Sequence, residues 1–147
     1  MATRVDTGFT AAWEDFTRAV RRARGRATGP LAESGLTLAQ FHLLEPLRDG
    51  GERTVSELAV GAGVAAPTAT RMLDALVRDG LATRRPAEHD RRAVLVGLSA
   101  EGRGAVEKAA KLVEAARARV RDSLSPEEQE QAAALLRRLA AAVEERV

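Results

Sequence analysis

The stretch TVSELAVGAGVAAPTATRMLDALVRDG, Thr54–Gly80, contains two short helical patterns separated by a glycine-rich turn. Thr54 and Glu57 have the spacing of a capping box, in which the side chain of each bonds the backbone N–H of the other at the start of a helix. Gly80 is suited to the left-handed conformation that often ends a helix. Two short helices joined by such a turn are typical of a helix-turn-helix.

The second helix of this pair is expected to face a partner, because in a helix-turn-helix it enters the major groove of DNA. Helical spacing predicts its buried face, which consists of Ala69, Met72, Leu73 and Leu76. The opposite, exposed face then carries Thr68, Thr70, Arg71, Asp74 and Arg78.

Each exposed side chain suits a particular contact. Arg71 is the candidate for bidentate contact with a guanine, and Thr68 or Thr70 can bond phosphates, base edges or a thymine methyl. Thr70 is equally suited to a hydrogen bond within its own helix. Arg78, near the far end, is expected to contact the DNA backbone or to pair with Asp74.

A charged hairpin follows, in which LATRRP and AVLVGLS are predicted strands and AEHDRR is the connection. A two-stranded wing of this kind can place Arg84, Arg91 and Arg92 near a narrow minor groove, whose negative potential attracts guanidinium groups. Asp90 would repel phosphate, so its predicted role is to orient the guanidinium of Arg92.

The N-terminal third predicts two helices. The first runs from about Phe9 to Arg24 and carries an apolar stripe at helical spacing. The second begins where Thr37 and Gln40 form a capping box, and Pro46 is expected to kink it near His42 by removing a backbone donor.

The C-terminal third predicts two more helices, which Ser99 and Ser125 cap. The outer helices are rich in alanine and have too few large apolar residues to form a bundle alone, so we expect them to pair with a second chain. The predicted fold is therefore mostly α, a winged helix-turn-helix lobe at residues 36–99 flanked by dimerisation helices at 1–35 and 100–147.

Composition favours a globular protein with few chemical options. Of the 147 residues, 45% are hydrophobic and 30% charged, and none is cysteine, which excludes disulfides and thiolate catalysis. The net charge is only +2, so the placement of the basic residues matters more than their number. The acid-free run of five arginines from Arg18 to Arg26 is either a solvated helix end or a phosphate contact.

The sequence does not support an enzyme, a metal-binding protein or a membrane protein. The only histidines are His42 and His89, tyrosine is absent, and no phosphate-binding GxxxxGK loop is present. Neither histidine has a helix-spaced histidine partner, so we expect no catalytic, cofactor or metal site. No run approaches the roughly 20 apolar residues that span a bilayer, and we expect a cytoplasmic protein.

The motifs LTLAQFHLL, TVSELAVGAGVAAPTATRMLDALVRDGLATRR and DRRAVLVGLSAEG resemble the multiple antibiotic resistance regulator (MarR) family. The resemblance covers Leu36 to Val106 closely. It implies a dimer formed by the terminal helices, binding to a palindromic operator of double-stranded DNA, and often release by small ligands. The function predicted from it is that of a ligand-responsive repressor, although the sequence does not decide between repression and activation. Two features depart from the family pattern: Ala65 and Ala66 replace the usual helix-opening serine, and PAEH lacks the usual aspartate-proline pair.

The family resemblance also implies an effector crevice between the dimer helices and the winged lobe. Trp13, Phe16, Phe41 and His42 could line it and receive a small aromatic or amphipathic ligand, or they could simply be core. The alternative function is a winged-helix module that binds protein and has no effector site, with its wing arginines facing an acidic partner. Salt-sensitive binding to duplex DNA separates the two functions.

Overall fold

A computed structural model of the chain describes residues 7–26, 31 and 33–145. The elements are α1 (Thr7–Arg26), α2 (Leu38–Leu44), a 3-10 helix (Glu45–Asp49), β1 (Arg53–Thr54), α3 (Val55–Ala62), α4 (Ala66–Arg78), β2 (Ala82–Pro86), β3 (Val94–Leu98), α5 (Ala100–Arg121) and α6 (Pro126–Glu144). The order of helices and hairpin is the predicted one, and the mostly α, winged helix-turn-helix fold is confirmed.

The chain divides into two compact units, Met1–Ala110 and Lys111–Val147. The first contains the helix-turn-helix, the sheet and the start of α5, and Val106 and Ala109 of that helix are buried. The core of this unit is built from large side chains without exposed surface, which include Leu43, Leu44, Leu47, Leu58, Leu73, Leu76 and Val96. The assignment of residues 1–35 and 100–147 to dimerisation stays a prediction.

Three helices begin with the predicted capping boxes. Thr37 opens α2, where its hydroxyl accepts a bond from the Gln40 N–H at 3.1 Å and the Gln40 side-chain carbonyl accepts one from the Thr37 N–H at 2.9 Å. The same reciprocal pattern opens α3 at Thr54 and α6 at Ser125. Local sequence therefore sets where these helices start.

Pro46 disrupts the second helical segment, although not as a kink within one helix. α2 ends at Leu44, and the chain continues as the 3-10 helix with Pro46 in its first turn. A tighter helix accommodates the missing backbone donor. The disruption therefore begins three residues after His42, the predicted position of the kink.

The sheet has three antiparallel strands in the order β1-β3-β2. In the central register Arg53 pairs with Val96 on one side and Arg84 pairs with Val96 on the other. α3 ends at Ala62 and is capped by Gly63, whose φ of +65° is a conformation that favours glycine. β2 is in contact with α4, so the hairpin of β2 and β3 lies next to that helix.

Among the helices that the structure describes, none is both long enough and apolar enough to cross a membrane.

Candidate nucleic-acid interface

The second helix of the helix-turn-helix, α4, is called the recognition helix below. It packs against the core of the lobe through the predicted apolar face. Ala69, Leu73 and Leu76 have no exposed surface, while Met72 is partly exposed. Ala65 lies at the N-cap in an extended conformation and provides no side-chain cap, as its residue type predicted. The helix is therefore held by its buried face rather than by its first turn.

The outer side of α4 presents polar residues. Thr70, Arg71, Asp74 and Arg78 are exposed, and Thr68 is partly exposed. The Thr70 hydroxyl donates to the Ala66 carbonyl at 3.0 Å, which is the bond within the helix that the sequence left open. In this conformation the Thr70 hydroxyl can accept a hydrogen bond from a ligand but has no proton left to donate.

Asp74 pairs with the wing. The Arg84 Nη1 atom lies 2.5 Å from Asp74 Oδ1, and Arg84 Nη2 donates to the Thr70 carbonyl at 3.4 Å. Of the two contacts predicted for Arg78, the pair with Asp74 does not form among the described residues, because β2 brings Arg84 to that carboxylate. Arg84, whose contact with DNA stays a prediction, is bonded here to α4.

Arg85 makes a second pair, which the sequence did not predict. Its Nε lies 2.9 and 3.0 Å from the two Glu52 carboxylate oxygens, and its Nη2 lies 2.6 Å from Oε2. These hydrogen bonds lower the pKa of Glu52 and raise the pKa of Arg85. The available signal was strand alternation, which directs Arg84 and Arg85 to opposite faces of β2.

At the wing tip, hydrogen bonds to the backbone replace the ion pairs found at the base. Asp90 Oδ1 accepts a bond from the Arg92 backbone N–H at 2.9 Å, and the Asp90 carbonyl accepts one from the Ala93 N–H at 3.1 Å. Asp90 thus shapes the turn and, contrary to the prediction, does not bond the Arg92 guanidinium. Arg91 and Arg92 are exposed, and within residues 33–145 neither forms an ion pair.

The residues predicted to line an effector crevice have unlike environments. Phe41 is only 1% exposed and belongs to the core, so it offers no accessible face to a ligand. His42 is partly exposed, and its Nδ1 lies 3.6 Å from Glu45 Oε2. Trp13 and Phe16 lie on α1 and are 38% and 54% exposed.

Within the described part of the chain, no group of three or more acidic or histidine side chains could hold a metal ion.

The family model for the MarR family matches residues 36–94, from just before α2 to the start of β3. The Mycobacterium tuberculosis transcriptional regulator MosR, solved in complex with DNA, is 33% identical, with a TM-score of 0.66. That comparison covers 89% of this chain and 97% of MosR. The chain belongs to the MarR family. Its candidate interface residues lie on the two elements by which a winged helix-turn-helix reaches DNA, the recognition helix and the wing.

Two further relatives extend the comparison for this MarR-family chain. Staphylococcus aureus MepR, solved in complex with DNA, is 25% identical with a TM-score of 0.79, over 87% of this chain and 94% of MepR. The Bacillus subtilis HTH-type transcriptional repressor YetL is 35% identical over 79 residues, 52% of this chain and 47% of YetL. The chain spans about half the length of the curated relatives that it matches. MosR is named as a transcriptional regulator and YetL as a transcriptional repressor.

Proposed function

We propose that this MarR-family chain is a sequence-specific DNA-binding regulator that acts as a homodimer on a palindromic operator. The observation that carries the proposal is the set of four exposed arginines without an ion pair among the described residues, Arg71 and Arg78 on α4 and Arg91 and Arg92 at the wing tip. Free guanidinium groups on both DNA-facing elements favour an anionic partner of extended shape.

The two elements have different roles in this proposal. Arg71 lies in the second turn of α4 and reads a guanine edge in the major groove, with Thr68 and Thr70 contacting bases or phosphate beside it. Arg78 contacts the DNA backbone. Arg91 and Arg92 enter the minor groove, where their charge gains most from the negative potential.

Exposed apolar side chains support the homodimer. On α1, Phe9 is 56% and Phe16 is 54% exposed. In the second unit α6 has no buried residue, and Leu135, Leu136 and Val143 are each more than half exposed. Apolar surface of this kind is typical of an interface, and homodimers provide a matching surface by symmetry.

We further propose that the regulator represses transcription and is released by a small aromatic or amphipathic effector. The support is the name of YetL, a repressor, and the family resemblance. Of the residues predicted for the effector, Trp13, Phe16 and His42 are accessible, whereas Phe41 is not. An effector that lowers DNA affinity must in turn bind more weakly when DNA is present. Titrating aromatic acids should therefore quench Trp13 fluorescence and release the operator together, and DNA should weaken the quenching.

The salt dependence of binding tests the DNA interaction. A duplex selected from a random pool is titrated with the full chain at several salt concentrations. If Arg78, Arg91 and Arg92 of both protomers each neutralise one phosphate, the slope of log K against log salt is about −5, at about 0.9 for each phosphate. A variant with Arg71, Arg78, Arg91 and Arg92 replaced by alanine is the control and should lose binding. No duplex selected from the pool, or a slope near zero, would overturn the proposal in favour of a protein-binding module.

A further inference from the structure

The base of the wing is fixed to the rest of the lobe by two ion pairs on opposite faces of one strand. Arg84 of β2 pairs with Asp74 on the recognition helix, and the next residue, Arg85, pairs with Glu52 in the loop before β1. Consecutive strand residues face opposite ways, so one strand is bonded to two different elements. In the described part of the chain, the arginines of the wing tip have no such attachment.

The two ion pairs at the base of the wing carry no net charge, whereas the arginines at the wing tip do. An arginine bonded to a carboxylate at 2.5 or 2.6 Å forms a unit without net charge. DNA releases a condensed counterion when an uncompensated cation neutralises a phosphate, and a neutral pair has no such charge to give. Exposed Arg91 and Arg92 have no ion pair among the described residues and keep their full charge.

The contacts of Arg84 also fix geometry. Its guanidinium bonds both the Asp74 side chain and the Thr70 backbone carbonyl, so it is joined to two successive turns of α4. This contact sets where the wing strand lies relative to the recognition helix. The spacing between these two elements decides whether one protomer can reach the major and minor grooves together.

We propose that Arg84 and Arg85 are positioning residues, which hold the wing at a fixed distance from the recognition helix, and that the wing delivers its charge to DNA through Arg91 and Arg92 alone. This inference rests on the proposed DNA binding. It divides the arginines of the hairpin into a structural pair at the base and a contacting pair at the tip, although all four are exposed.

Salt titrations with the full chain and the selected duplex test the division of charge. The Asp74→Asn, Arg84→Gln double variant and the Glu52→Gln, Arg85→Gln double variant remove each pair without changing net charge, so the salt slope should equal that of the parent. The Arg92→Gln control should make the slope shallower by about 0.9 for each phosphate that is no longer neutralised, twice that for a dimer. A double variant with a slope as shallow as that of Arg92→Gln overturns the inference. A parent without a salt slope instead contradicts the proposed DNA binding.

A distance measurement tests the positioning role. Because the chain has no cysteine, spin labels can be placed at Glu88→Cys on the wing and Asp79→Cys after α4, with labelled chain diluted in unlabelled chain. Arg84→Ala should broaden the distance distribution between the labels, whereas Arg92→Ala should leave it unchanged. An unchanged distribution in Arg84→Ala overturns the positioning role, since removal of a merely surface charge would not alter the distance.

Discussion

In the proposed function, Arg71 is the side chain by which α4 reads the DNA sequence. It is exposed on the outer face of the helix, and the first turns of a recognition helix lie closest to the bases. We expect Arg71→Ala to cost about 1 to 3 kcal/mol of binding free energy and to relax preference at one position of each half-site. Competition with single-base variants of the operator measures both. Arg78→Ala, the control, should weaken binding evenly across sequences, and an even weakening in Arg71→Ala would contradict base reading.

Gly102 is required for a close backbone approach at the start of α5. It is buried, and a Cβ atom there would collide with the backbone carbonyl of Leu81. That carbonyl also accepts a bond from the Ser99 N–H at 3.2 Å, so it cannot move without disturbing the helix start. We expect Gly102→Ala to lower the free energy of unfolding by about 1 to 3 kcal/mol.

Gly104 provides the matched control, because the space around its Cα is open and it lies in the same helix. Gly104→Ala should raise the free energy of unfolding by about 0.5 to 1 kcal/mol, since alanine has the higher helix propensity. Urea denaturation measures both variants. Equal stability of Gly102→Ala and the parent would show that the approach of Leu81 is not a constraint.

The exposed face of α4 could be predicted from sequence, whereas the partners of its charges could not. Helical periodicity is a local property, and it correctly placed Arg71 outside and Leu73 inside. The partner of Asp74 depends on how a strand ten residues further along packs against the helix. Local spacing favoured Arg78 for this pair, but tertiary packing supplied Arg84.

The sequence predicted a helix or strand wherever the residues that define it lie close together along the chain. Each capping box uses residues three apart, so the starts of α2, α3 and α6 could be located without knowledge of the fold. β1 has only two residues, and they pair with Leu95 and Val96 some forty positions away. A strand of that length has no detectable alternation, so the sequence pattern could not predict it.

The uncapped start of α4 offers a gain in stability. Ala65 has the extended backbone of an N-cap residue but no acceptor for the free N–H groups of the first turn. We expect Ala65→Ser to raise the free energy of unfolding by about 0.5 to 1 kcal/mol. Ser125→Ala at the cap of α6 should lower it by a similar amount, and chemical denaturation compares the two. If Ala65→Ser does not raise the free energy of unfolding, water already bonds the N–H groups of that turn equally well.

The capping carboxylates make helix stability depend on acid. The Thr54 backbone N–H, and then its hydroxyl, lower the pKa of Glu57, and Ser125 lowers the pKa of Glu128 in the same way. A lowered folded-state pKa gives stability that is present above the unfolded value of about 4.3 and is lost as the pH falls through the folded value. We expect Glu57→Gln, which keeps an acceptor but cannot titrate, to show a smaller drop in melting temperature between neutral and acid pH. A drop equal to that of the parent would remove Glu57 from the acid response.

At the scale of the whole molecule, self-association decides whether the chain can bind a palindromic operator. Within the described residues, one compact unit holds both α4 and the wing, and apolar side chains remain exposed in both units. A protomer with one recognition helix contacts one half-site, so operator symmetry requires a symmetric pair. The sequence predicted this need from the alanine-rich outer helices, because a stripe with few large side chains cannot complete its own core.

Sedimentation should report twice the sequence mass of 15.7 kDa at micromolar concentration. Phe16→Glu should shift the chain to monomer, because it places a charge in the apolar surface that dimerisation buries. Phe16 is 54% exposed within the protomer, so the variant should keep its helix content by circular dichroism. Val60→Glu is the control: Val60 is 82% exposed on α3, outside the predicted dimerisation segments, and its variant should remain a dimer. A monomeric parent, or a Phe16→Glu variant that sediments as a dimer, would place the interface elsewhere or remove it.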